Sequence, residues 1–85
     1  MTPFEQLEDV ISEYNKSNSE KLSIEAHELE MKPHDKNDGG FSVRMFLMRG
    51  DIEILQSIKK GSSSVSVKNM AAYDTIKYIK SNLIK

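Results

Sequence analysis

The chain has 85 residues, 38% of them hydrophobic and 29% charged, with a formal net charge of −1. That is enough for one small domain with one modest core, and the balance is not that of a disordered chain. There is no cysteine and only two histidines, His27 and His34, which excludes disulfides, a cysteine-based zinc site and a histidine metal cluster as organising features.

Charge is spread unevenly. Residues 1–40 hold ten acids and four bases, whereas residues 41–85 hold eight bases and three acids. This predicts either two oppositely charged halves folded against each other or a polar partner at one end, and the first is the simpler expectation. No apolar stretch approaches a membrane span, and the first residues lack the charged and apolar regions of a signal peptide. The expected compartment is the cytoplasm, with no membrane partner.

Thr2 or Pro3 opens a helix, since proline is tolerated in the first turn. Phe4, Leu7, Val10, Ile11 and Tyr14 then recur at helical spacing, with Asp9, Glu13 and Lys16 on the solvated face. The run "NKSNSE" breaks the pattern and reads as a loop. "KLSIEAHELEM" alternates as a strand, with Leu22, Ile24 and Ala26 on one side, Ser23, Glu25 and His27 on the other, and a phase shift at Leu29 and Met31 that predicts a bulge or irregular end. "KPHDKNDGG" is a turn-rich loop. "FSVRMFLM" is a second strand with Phe41, Val43, Met45 and Leu47 inward. Phe46 and Met48 fall on its other side as an exposed patch for a partner. Arg49-Gly50-Asp51 is a compact turn, and "DIEILQSI" completes a hairpin with Ile52, Ile54 and Ile58 in phase.

The last helix carries Ala72, Ile76, Ile79 and Leu83 on one stripe, with Ala71 and Ala72 small enough for close approach to a sheet. Ser63, Ser64 and Ser66 are its alternative caps, and "SVSV" also alternates like a strand. The methionines, Met31, Met45, Met48 and Met70 among them, are expected to fill core gaps. The order predicts a single α+β domain over residues 1–85: α-β-β-β-α, with a three-stranded antiparallel sheet and two helices packed on one face.

This order resembles the double-stranded-RNA-binding domain family. That family enters its second helix through Gly-x-Ser-Lys-Lys-x-Ala-Lys, followed two residues later by Ala-Ala. Gly61, Ser63, Lys68, Ala71 and Ala72 occupy matching places. "VISEY" is similar to the family's apolar-apolar-x-Glu-Tyr segment, with Glu13 at the RNA-facing glutamate. Pro33, His34 and Phe41 stand where the family has a loop Pro-x-His and a strand-opening Phe, with about two extra residues between. The departures are Ser64 and Val65 in place of the first two clamp lysines, Lys32 in place of the loop glycine, and an acid, Asp9, one turn before Glu13. Lys59 and Lys60, just upstream, are the residues that would restore the missing charge.

The resemblance implies noncatalytic binding of double-stranded RNA by its A-form shape, with Glu13 on 2′-hydroxyls, Pro33 and His34 in a second minor groove, and Ser64, Lys68, Lys59 and Lys60 on phosphates. Small viral antagonists of this fold mask duplex RNA from host sensors in the host cytoplasm, which sets one expected role. The alternative is a protein-interaction or dimerisation module of the same fold that has lost RNA binding, its partner a host RNA sensor or a second copy of the chain. The missing lysines, the acidic first helix and the net charge of −1 favour that alternative. An unrelated α+β adaptor is the third reading. No nucleophile motif and no nucleotide-binding Lys-Ser/Thr loop is present, so neither an enzyme nor a cofactor is expected.

Overall fold

The computed structural model describes residues 2–31 and 40–84. Helix α1 spans Pro3–Ser17. Its start is a capping box: the Thr2 hydroxyl accepts the Glu5 N–H, and the Glu5 carboxylate accepts from the Thr2 backbone. These bonds hold the Glu5 carboxyl below its usual range. The helix runs on through Asn15, Lys16 and Ser17, where a loop was expected. Its end is tied down by side chains. Asn18 donates to the Tyr14 carbonyl, Lys21 caps the Asn15 and Asn18 carbonyls, and Asn15 bonds both the N–H and the carbonyl of Leu22.

The three strands are β1 (Leu22–Met31), β2 (Gly40–Arg49) and β3 (Ile52–Gly61), antiparallel in the order β1-β2-β3. The β1–β2 register is unbroken from Leu22↔Arg49 to Met31↔Gly40, so the expected bulge in β1 is absent. Leu22 is buried and Ile24 half-buried, but Ala26 is exposed although its partner Met45 is buried, because α2 lies over β2 and β3 and α1 hardly covers the edge strand β1. Gly50 closes the β2–β3 turn with φ +61°, a conformation that costs glycine little. Gly40 has no room for a side chain: a Cβ there would lie 2.5 Å from the Gly61 carbonyl oxygen.

The bulge sits in β3. Leu47 pairs with Leu55 but Met48 with Glu53, which leaves Ile54 as the inserted residue. Ile54 and Leu55 therefore both pack against the core. Beyond them the inward positions are Ser57 and Lys59, opposite Met45 and Val43. Ile54 keeps its expected inward place, whereas Ile58, beyond the bulge, is corrected to the outer face; Ile52 stands in the inward register opposite Arg49 but is exposed next to the turn.

Helix α2 spans Ser64–Tyr78, and a π-helical turn continues it over Ile79–Leu83. Ser63 is the cap, its hydroxyl accepting the Ser66 N–H, so the "SVSV" run is helix, not strand. Val67, Ala71, Ala72, Ile76 and Ile79 are buried against Val43, Met45 and Leu47 in one core with Leu7 and Ile11. Buried Thr75 donates its hydroxyl proton to the Ala71 carbonyl at 2.9 Å. Met45 fills the core as expected, whereas Met70 is exposed. The architecture is the predicted α-β-β-β-α, two helices on one face of a three-stranded sheet.

Replacing Ile76, 6% exposed, by alanine is expected to cost about 2–5 kcal/mol of stability. Replacing Ile58, 48% exposed, is expected to cost under about 0.5 kcal/mol. Denaturant unfolding of both variants checks the phase change at Ile54, since an uninterrupted β3 would reverse the rank of Ile58.

Candidate nucleic-acid interface

The two helices run side by side in the same direction. Their starts meet where the Lys68 ammonium lies 4.3 Å from the centre of the Phe4 ring, and their ends meet where Glu13 and Tyr14 share a depression with Leu83 and Ile84. The start of α2 thus lies beside the first turn of α1.

Ser64 and Lys68 stand one helical turn apart on the first turns of α2, both half-buried. The Ser63 hydroxyl accepts the Ser66 N–H and its carbonyl the Val67 N–H, so the Ser64 and Val65 N–H groups at the start have no acceptor within the helix. Lys68 is not the freely solvated side chain expected of a helix-start lysine. It rests on Phe4, a cation–π contact that positions the ammonium beside the positive end of the α2 dipole. Exposed acids Glu5, Glu8 and Asp9 crowd the same part of α1.

Glu13 is exposed and pairs with Lys16 at 3.3 Å. It lies nine residues along α1 from Phe4, about 13 Å at the helical rise. Pro33 and His34 lie outside the described residues.

The two upstream lysines separate. Lys59 turns inward and meets Asp74 of α2 at 2.5 Å, with both side chains partly open to solvent. Lys60 is exposed on the opposite face of the sheet, paired in register with Ser42. Neither joins Lys68 in a cluster: Lys59 is committed to Asp74, and Lys60 is behind the sheet.

The two halves fold against each other, β1 on β2 and α1 on α2, but among the described residues no ion pair joins them. Among the described residues, Glu13–Lys16 and Glu25–His27 fall within residues 1–40, and Lys59–Asp74 within residues 41–85. Among those residues, no three His, Asp or Glu side chains come together as a metal site, and no helix is long and apolar enough to cross a membrane.

The contacts missed by sequence reasoning are Lys59–Asp74, Lys68–Phe4 and the Asn15 clasp on Leu22. A signal for the first was the adjacent apolar pair Ile54-Leu55 inside an alternating strand, which marks an inserted residue and sends Lys59 inward. Comparison with protein-family models, curated proteins and solved structures finds no match for this chain.

A double-mutant cycle with Lys59→Met and Asp74→Asn is expected to give a coupling of at most about 1 kcal/mol, reduced by salt, because the pair is partly solvated. Urea unfolding at low and high ionic strength measures it.

Proposed function

We propose that the protein is a noncatalytic double-stranded-RNA-binding domain that reads A-form shape through its helix layer. The observation that carries this reading is the juxtaposition of Lys68 and the start of α2 with the first turn of α1. Duplex RNA offers a shallow minor groove lined with 2′-hydroxyls and, next to it, a groove walled by phosphates. A carboxylate on α1 suits the first, and an ammonium on a helix start suits the second. Glu13 is the proposed sugar contact. Lys68, with Ser64, is the proposed phosphate contact. The resemblance of Gly61, Ser63, Lys68, Ala71 and Ala72 to the family's helix entry supports the same assignment.

The phosphate clamp is smaller than the one the sequence pattern implies. Lys59 is held by Asp74 and Lys60 lies on the far face, so the phosphate clamp reduces to Lys68 and backbone N–H groups. Binding is then weak for the family and consistent with a role in cytoplasmic masking of duplex RNA only at high protein concentration. The acids of α1 and the commitment of Lys59 favour the second reading, a protein-interaction module of this fold.

Titration with duplex RNA, duplex DNA and single-stranded RNA separates the readings. Duplex RNA is expected to bind best, and absence of binding to all three leaves the interaction module. Lys68→Ala is expected to weaken binding and flatten the log–log salt slope by about one unit. Lys59→Ala, Lys60→Ala and Lys80→Ala are expected to leave the slope unchanged. Glu13→Ala is expected to weaken binding without changing the slope, because a sugar contact releases no counterion. If Lys68→Ala behaves like Lys80→Ala, the start of α2 is not a phosphate site.

A further inference from the structure

Among the described residues, nothing covers the sheet face turned away from the helices. Leu29 is 64% exposed and Ile58 48% exposed on it, and Phe46 and Met48 are half-buried. Its charges are ordered along the strands. Register places Glu53 of β3 in the row nearest the Gly50 turn, and Glu25 of β1 beside Phe46 of β2 in the next. His27 of β1 stands beside Arg44 of β2 in the third row, and Lys60 of β3 is in the fourth. Acids hold one end and bases the other.

We infer that this face docks on a second copy of itself. The twofold axis lies in the interface, crosses the strands at right angles and passes between the Phe46 and Arg44 rows. This operation exchanges the first row with the fourth and the second with the third, and keeps each strand over its own copy. Glu53 then faces Lys60 of the second copy, Glu25 faces His27, and the Phe46 ring faces the Arg44 guanidinium, each contact occurring twice. The alternative axis, along the strands, sets Arg44 on Arg44 and leaves Glu53 and Lys60 without partners. A uniformly acidic or basic partner would match only one end of the face.

Side chains are already grouped for this arrangement. The His27 ring meets the edge of Phe46 at 5.8 Å, and its Nε2 lies 3.9 Å from the Glu25 carboxylate. Two twisted sheets pack about 10 Å apart with strands rotated by about 30°, so the rows nearest the axis make the closest contacts. The face measures about 400 Å² from strand spacing, roughly half the area per partner of a stable complex. The dimer is therefore concentration-dependent. It does not rest on RNA binding, which uses the other layer.

The test is sedimentation equilibrium of the full chain from about 10 μM to about 1 mM without RNA. The mass is expected to rise from 9.7 kDa toward twice that value. Lys60→Glu and Glu53→Lys, both at exposed positions, are each expected to weaken self-association at least about tenfold. Mixing the two single variants restores both ion pairs, so a mixed dimer is expected to form more tightly than either variant alone. The double variant is expected to associate like the original chain. Circular dichroism checks that all variants are folded. A chain that stays at 9.7 kDa throughout overturns the proposal, as does a dimer indifferent to the charge reversals or a mixture without preference.

Discussion

The structure depends on how closely α2 can approach β2. Ala71 and Ala72, both fully buried, present almost no side chain at the contact, so the helix backbone settles on Val43, Met45 and Leu47. Close approach maximises dispersion contacts in a core this small. It also brings Thr75 into the interior, where its hydroxyl is satisfied by the Ala71 carbonyl instead of water. Leu7 and Ile11 complete the same core from α1. Helix α1 leans mainly on α2, and a groove lined by Phe4, Ile11 and Ile24 separates it from β1. Position the sheet and α2, and α1 follows through one buried stripe.

That placement determines what the lysines do. Lys68 leaves α2 next to Phe4, and the ring holds the ammonium at the joint start of both helices. Lys59 leaves β3 beneath α2 and is met by Asp74. Two cations from neighbouring stretches of sequence thus have different electrostatic surroundings. One sits over an uncharged ring, near the exposed acids of α1. The other is neutralised at 2.5 Å. Proximity in sequence to a clamp motif does not measure available charge.

Element order, the inward face of β2, the apolar stripe of α2 and the Ala-Ala contact were legible, because each rests on periodicity over many residues. Glu13 was legible as an exposed α1 residue for the same reason. Three features were not. The end of α1 is set by Asn15, Asn18 and Lys21 bonding to backbone groups, and polar side chains of this kind look like loop from composition alone. The exposure of Ala26 follows from β1 being the edge strand that the helices cover least, which is a tertiary fact. The phase of β3 beyond Ile54 turns on one inserted residue, and alternation carried on from Ile52 and Ile54 put Ile58 on the helix side, where it does not lie.

The insertion at Ile54 has consequences at both surfaces. From the two-residue turn, an uninterrupted β3 would pair Ile54 with Leu47, Ile58 with Val43 and Lys60 with Phe41. Ile58 and Lys60 would then face the helices, and Lys59 would join the outer face. With Ile54 inserted, every position beyond it changes side. Lys59 comes under Asp74, Ser57 is buried opposite Met45, and Lys60 moves to the outer face at the end opposite Glu53. The same residue removes one lysine from the helix edge and completes the charge order of the bare sheet face. The bulge thus divides the molecule into a helix layer with one cation at its start and a sheet layer whose two ends attract each other in a second copy. On this reading a dimer turns its two helix layers outward on opposite sides.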